Sequence, residues 1–119
     1  MLINDNFSGD TEIDCLIIGG GAAGLTAALA ASESGAAVLV AERENRLSGS
    51  TALSSGLIPA AETNAQKRQD ISDSKKTFFA DIMEKNCNSA DPNHVNLCVE
   101  NITLALDWLE AEHGIPFHV

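Results

Sequence analysis

Three glycines and one glutamate have the residue types and the spacing that could bind a nucleotide. Gly19, Gly21 and Gly24 fill the glycine positions of the pattern G-x-G-x-x-G, and Glu42 follows about 20 residues further on. The first glycine permits a sharp turn, the second lets the backbone approach a pyrophosphate, and the third lets a helix pack closely on a strand. The Glu42 carboxylate can accept hydrogen bonds from ribose hydroxyls, and its charge disfavours a 2′-phosphate. These residues predict a site for an adenine dinucleotide.

Three neighbouring residues would complete this site. Ala22 and Ala23 would bind phosphate through the backbone, because a helix that starts here points unpaired N–H groups and its positive dipole end towards the ligand. Arg43 is a further candidate contact, since a basic neighbour of Glu42 could host a phosphate. For the glycines taken alone, an ordinary strand-to-helix turn stays open as the alternative interpretation.

The elements around these residues have the order that such a site requires. Residues 13–18 form a nearly continuous apolar run that predicts a buried parallel strand, and residues 36–41 predict a second one. Between them, residues 22–34 predict a helix, and Gly35 stands where a helix is commonly ended by glycine. Its predicted inner face contains Leu25, Ala28 and Leu29. The predicted fold class is therefore α/β, with a Rossmann-like dinucleotide-binding βαβ unit over residues 13–42.

The rest of the chain predicts a long loop and a helical section. Residues 43–70 lack clear periodicity, and a loop of this length is uncommon unless it is functional or disordered. Within residues 72–113, two helices are predicted over 73–87 and 91–113, the second opened by Asp91 as N-cap and Pro92. Its apolar stripe consists of Val95, Val99, Ile102, Leu106 and Leu109. Two strands do not complete the core of a doubly wound sheet, so residues 13–119 are predicted to be the N-terminal part of a longer protein.

Composition excludes several classes of partner. The formal net charge of −10 argues against nucleic acid and against an anionic membrane surface. Residues 1–12 form an acidic leader without the basic and apolar parts of a signal peptide, and no apolar run approaches the roughly 18 residues of a membrane span. The three cysteines have no C-x-x-C spacing, which excludes a cysteine-rich metal site and fits a reducing compartment. The predicted location is cytoplasmic.

From residue 14 onward the sequence resembles flavoproteins of the fumarate reductase/succinate dehydrogenase type. This family also includes L-aspartate oxidases and 3-ketosteroid dehydrogenases. The stretches that match it are residues 14–28, 42–43, 49–56, 73–81 and 108–117. The resemblance implies the start of a glutathione-reductase-type FAD domain, here incomplete, followed by the helical section that family members have next.

The same resemblance implies FAD as the cofactor, because residues 49–56 match the family's second FAD loop. Carried over, this loop begins at Gly49, Ser50 and Thr51 hydrogen-bond phosphate oxygens, and Ser55 and Gly56 lie beside the isoalloxazine. The chemistry is consistent, since hydroxyls bind anions without added charge and small residues let backbone amides approach a planar ring. A flexible surface loop is the alternative for this segment.

The resemblance also bears on how the cofactor is held and used. Succinate dehydrogenase-type members attach FAD to a histidine of this loop, whereas His94, His113 and His118 all lie outside it. Non-covalent FAD is therefore predicted. Relatives move hydride between flavin N5 and a small-molecule substrate with groups from later parts of the chain, so no catalytic residue is named here. The substrate stays open among dicarboxylates, steroids and amino acids, as does the oligomeric state.

Two other functions compete with an FAD-binding segment of an oxidoreductase. One is an NAD-binding Rossmann oxidoreductase, since the glycine pattern serves both cofactors. The other is a non-catalytic nucleotide-binding module, or a truncated chain that is inactive alone.

Overall fold

The computed structural model describes residues 12–119, so nearly all of the leader predicted for residues 1–12 lies outside the described part. The chain divides into two compact units, Met1–Leu57 and Ile58–Val119. In the first unit, β1 (Cys15–Ile18) and β2 (Val38–Ala41) form a parallel pair, with Cys15 opposite Val38 and Ile18 opposite Ala41. Helix α1 (Ala22–Glu33) connects them, as a parallel pair requires. The predicted α/β class with a parallel βαβ order is confirmed.

Both strands begin two residues later than the apolar runs suggest, for a local reason. The Ala37 carbonyl accepts hydrogen bonds from the amides of Asp14 and Cys15, at 2.9 and 3.2 Å. In return, Asp14 Oδ2 accepts from the Ala37 amide at 2.8 Å. This side-chain bond takes the place of regular ladder pairing, so the ladder starts only at Cys15 and Val38.

The sheet buries its two faces unequally. Ile17 lies half-buried on the side of α1, where Ala28 and Leu29 are also half-buried. On the opposite face, Leu16 is 53% exposed and Ile18 is 85% exposed. Leu25, predicted on the inner face of α1, is instead exposed.

The predicted loop contains two short helices, α2 (Ser50–Leu53) in the first unit and α3 (Asn64–Lys67) in the second. Helix α3 has a capping box, in which Thr63 Oγ1 accepts from the Gln66 amide and the Gln66 side chain accepts from the Thr63 amide. Four residues are too few to show helical periodicity, so the pattern of residues 43–70 did not predict either helix.

Two longer helices, α4 (Lys75–Lys85) and α5 (Pro92–His113), pack against each other in the second unit. Asp91 caps α5 as predicted, with its side chain accepting from the Asn93 amide, and Gly114 ends it in the left-handed conformation. The core of this unit consists of Ala61, Ala65, Val95, Val99 and Leu106. Thr103 is also buried, and its hydroxyl donates to the Ala61 carbonyl at 2.5 Å.

Candidate functional site

The glycine turn joins β1 to α1, and two of its glycines are required by the backbone itself. Gly19 has φ +105°, a conformation that other residues rarely adopt, and its amide donates to the Ala41 carbonyl at 2.7 Å. A Cβ on Gly24 would collide with the Gly19 carbonyl oxygen and would lie 3.3 Å from Ile17 Cγ2. Gly24 thus lets the first turn of α1 lie directly on the end of β1.

The N-terminus of α1 presents backbone amides and one hydroxyl. Gly21 is the N-cap and provides no side-chain cap. The amide of Ala22 donates to Thr51 Oγ1 at 3.1 Å, whereas Ala23 is exposed in the same first turn. The amides at the start of an α-helix have no partner within the helix, so this surface suits an anion.

Glu42 lies just after β2, at the same edge of the sheet as the glycine turn. Its Oε2 accepts from the Gly20 amide at 2.8 Å, and its Oε1 accepts from the Glu44 amide at 3.1 Å. These two amides, Gly20 first, hold the pKa of the Glu42 carboxyl below its ordinary value of 4.5, against a smaller opposing effect of burial. The carboxylate is therefore ionised and has lone pairs left for further donors.

Gly20 is a residue of this site that the sequence pattern did not identify, because it occupies a free position of G-x-G-x-x-G. It is buried, and a Cβ there would collide with Leu47 Cδ2 and lie 3.2 Å from Glu42 Oε2. The run of three consecutive glycines is the signal that could have drawn attention to it. Leu47 gave no signal, since an isolated leucine in a polar loop has no pattern.

Arg43 is the exposed neighbour of Glu42. Its Nε donates to Glu44 Oε1 at 3.2 Å, and its side chain is 91% exposed.

Residues 49–56, predicted as the second FAD loop, contact the glycine turn through one residue. Thr51 provides that contact from α2, which Gly49 opens with φ +99°. Ser50 and Ser55 are exposed, and Gly56 has φ +78° with its amide donating to Ser54 Oγ at 3.1 Å. Within residues 12–119, Ser50, Ser55 and Gly56 have no hydrogen bond to the glycine turn.

His94 and His113 each lie beside a side chain of α5 or of its N-cap. His94 has an 83% exposed side chain and lies 3.9 Å from Asp91. His113, in the last turn of α5, packs edge-on against Trp108 with ring centroids 4.7 Å apart. Within residues 12–119, no helix has the length and apolar character needed to cross a membrane.

Comparison with known proteins identifies the family. The FAD binding domain family matches residues 14–119. This chain belongs to the FAD binding domain family. NADH:fumarate oxidoreductase of Klebsiella pneumoniae is 36% identical over 110 residues, covering 92% of the chain and 12% of that protein. Fumarate reductase (cytochrome) of Shewanella frigidimarina is 35% identical over 99 residues, covering 83% of the chain and 17% of that protein. Urocanate reductase of Eggerthella lenta is 33% identical over 107 residues, covering 90% of the chain and 18% of that protein.

A solved structure supports the same assignment. The open conformation of a flavocytochrome c3 fumarate reductase superposes with a TM-score of 0.74 at 28% identity. The superposition covers 83% of the present chain and 18% of the flavocytochrome chain. The predicted resemblance to fumarate reductase-type flavoproteins and the prediction of FAD as cofactor are confirmed. The NAD-binding alternative is not favoured. This chain spans only 12 to 18% of the length of the relatives named above.

The residues present fit the cofactor's diphosphate. A dianion needs donors and close backbone approach, and the turn offers the amides of α1, the Thr51 hydroxyl and a glycine N-cap. Glu42 lies beside the glycine turn and not within it. Its ionised carboxylate can accept hydrogen bonds from hydroxyl groups.

Proposed function

We propose that residues 12–57 bind the ADP half of FAD in a Rossmann-like βαβ unit. The observation that carries this proposal is the 2.8 Å hydrogen bond between the Gly20 amide and Glu42, which joins the phosphate-binding turn to the predicted ribose acceptor. Both lie at the carboxyl edge of a parallel strand pair, the edge at which α/β proteins bind dinucleotides. Gly19, Gly21 and Gly24 shape the turn. The Ala23 amide donates to the pyrophosphate, and the Ala22 amide acts on it through the Thr51 hydroxyl, to which it donates.

In this proposal the second loop acts on the same diphosphate. The Thr51 hydroxyl accepts from the Ala22 amide and keeps its own proton, so it can donate that proton to a phosphate oxygen. Ser50 contacts the neighbouring oxygens, and Gly49 gives α2 its entry angle. Ser55 and Gly56 are assigned to the flavin side, and Arg43 to the rim of the adenosine site.

The proposal assigns this segment to an oxidoreductase that uses FAD without a covalent link. FAD would supply hydride transfer at flavin N5. The residues of this segment bind and orient the cofactor, and no residue within 12–119 is assigned to the substrate. A non-covalent link is proposed because none of the three histidines lies in residues 43–70.

Flavin release from the purified full-length protein tests these points. We expect flavin absorbance in the native protein and a yellow supernatant after acid precipitation. A yellow pellet would refute the non-covalent link. A colourless protein that binds NADH would instead support the NAD-binding alternative.

We propose a small unsaturated carboxylate as the substrate. Relatives are named for fumarate, urocanate and acrylate, which share a carbon–carbon double bond and a carboxylate. The test is oxidation of a reduced viologen dye by the full-length protein with each of these three compounds, and with a 3-ketosteroid as control. Activity with the steroid alone would contradict this substrate class. A cytoplasmic location and the absence of a nucleic-acid partner stay predictions from composition.

We also propose that elements outside residues 12–119 add strands to this sheet and cover its exposed face. Parallel sheets are normally covered on both faces, yet Ile18 is 85% exposed and Leu16 is 53% exposed. Circular dichroism of the 119-residue chain with and without FAD tests this. A cooperative, FAD-sensitive melt would contradict it and would favour an independent binding module.

A further inference from the structure

We propose that Glu42 is a positioning residue for the phosphate-binding turn, acting through Gly20, with Leu47 as the second wall of the same clamp. This inference rests on the proposed function and deepens it. A ribose acceptor at the end of β2 would need only a free carboxylate. The structure instead shows a carboxylate whose two oxygens both accept from backbone amides, at 2.8 Å from Gly20 and 3.1 Å from Glu44.

The contact with Gly20 crosses a long stretch of chain. Gly20 and Glu42 are 22 residues apart, and their hydrogen bond joins the glycine turn to the end of β2. Charge-assisted hydrogen bonds of this kind are shorter and stronger than neutral ones. The bond therefore restrains the residue that lies directly between Gly19 and the helix N-cap at Gly21.

Leu47 also lies against Gly20, although Leu47 itself is 49% exposed. Leu47 Cδ2 occupies the place that a Cβ on Gly20 would need, and Glu42 Oε2 would lie 3.2 Å from that atom. Gly20 is buried although the turn around it is only half-buried. A glycine held by a hydrogen bond and covered by a side chain can place the next amides without rearrangement when the ligand arrives, and such preorganisation increases affinity.

The competing explanation is that Glu42 serves the ribose alone and that its bond to Gly20 contributes nothing to phosphate binding. Two probes separate these ideas. ADP has ribose hydroxyls and a diphosphate, whereas 2′,3′-dideoxy-ADP has the diphosphate but lacks the hydroxyls that Glu42 would bind. A residue that serves only the ribose affects the first probe and not the second.

The experiment titrates both probes into the apo form of the full-length protein, as wild type and as Glu42→Ala. We expect Glu42→Ala to weaken the binding of dideoxy-ADP by roughly tenfold, the effect of losing a hydrogen bond to a charged group. ADP should lose at least as much, because its ribose hydroxyls lose their acceptor as well. Unchanged binding of dideoxy-ADP would overturn the proposal. Glu12→Ala is the matched control, since it removes the same charge from an exposed position of the same unit, and both affinities should stay within about threefold of wild type.

A second set of variants keeps the test decisive if Glu42→Ala fails to fold. Gly20→Ala places a methyl group against Leu47 Cδ2, the end of a flexible side chain. We therefore expect the lower end of an overpacking cost, which weakens dideoxy-ADP binding by roughly fivefold. Leu47→Ala in the same chain removes the colliding atom, so the double variant should recover most of that loss. Equal binding by Gly20→Ala with and without Leu47→Ala would refute the clamp.

The outcomes also distinguish this inference from the function on which it rests. If the wild-type apo protein binds neither FAD nor ADP, the proposed function is wrong. If it binds both, and the Glu42 and Gly20 variants leave dideoxy-ADP binding unchanged, only the clamp is wrong.

Discussion

Replacing Gly21 by alanine tests whether a bound pyrophosphate lies against this residue. The folded chain has room for the added methyl group, whereas a pyrophosphate in close contact would not leave that room. Gly21 has φ −78° and ψ −179°, which any residue can adopt, and an added Cβ would lie 3.6 Å from Thr51 Oγ1, an ordinary contact. A less flexible unfolded chain should stabilise the variant by about 0.4–1 kcal/mol. Alanine is a poorer N-cap than glycine, which should offset roughly this amount, about 0.5 kcal/mol. The free energy of unfolding should therefore change little.

FAD affinity should respond quite differently to the same methyl group. If the pyrophosphate approaches the Gly21 backbone, the methyl group occupies its contact surface, and overpacking costs about 1–3 kcal/mol. That range corresponds to roughly 5- to 150-fold weaker binding. The expected signature of Gly21→Ala is thus a normal melting temperature with a large loss of affinity.

Gly24→Ala is the matched comparison within the same turn. Alanine improves helix propensity by about 1 kcal/mol, but its Cβ would collide with the Gly19 carbonyl oxygen, a backbone atom that cannot rotate away. The collision should outweigh the propensity gain, so stability and FAD binding should fall together. Thermal denaturation of the apo full-length protein and flavin fluorescence titration measure both quantities. Wild-type FAD affinity in Gly21→Ala would refute the close approach of the pyrophosphate.

Three further predictions concern the second unit, each measured on the full-length protein. Cys87 has φ +54° at an exposed position, so Cys87→Gly should raise the free energy of unfolding in urea by about 1 kcal/mol, whereas Cys98→Gly, exposed within α5, should lower it by about 0.3 kcal/mol. The Arg68 guanidinium holds the pKa of Glu110 below 4.5, so the ion pair stabilises fully above that pH and this contribution is lost as pH falls through the lower folded pKa. The difference between wild type and Glu110→Gln should shrink accordingly, and a constant difference would contradict it. Thr103→Val leaves a buried carbonyl without its 2.5 Å hydrogen bond, and hydrogen exchange in α5 should show a loss of about 1–3 kcal/mol.

The parts of the fold that could be predicted depend on residues close together in the sequence. Glycine at positions 19 and 35, where φ is +105° and +85°, marks turns that other residues rarely make. The apolar runs around β1 and β2 and the Asp91-Pro92 start of α5 are equally local signals, and the structure has each element in place.

The parts that could not be predicted depend on residues far apart in the chain. Leu47 covers Gly20 only because the chain after β2 returns over the glycine turn, and no spacing rule describes that return. Thr51 reaches the Ala22 amide from 29 residues away. Thr103 interrupts the predicted apolar stripe of α5, since its hydroxyl finds a carbonyl 42 residues earlier. Helical spacing predicts which residues share a face, but not which polar group is satisfied there.

An acidic chain can hold an anionic cofactor because the attraction is local. The net charge is −10, but at physiological salt charges act over about 8 Å, so most of that charge is screened from the turn. No lysine or arginine lies in residues 19–24, and the nearby Arg43 is paired with Glu44 at 3.2 Å. The donors that remain are neutral: the first amides of α1, with a dipole equivalent to about half a charge, and the Thr51 hydroxyl. Binding through such donors releases few counterions, so FAD affinity should depend only weakly on ionic strength. A steep fall with added salt would mean that cationic side chains elsewhere hold the pyrophosphate, and that the glycine turn serves mainly to shape the backbone.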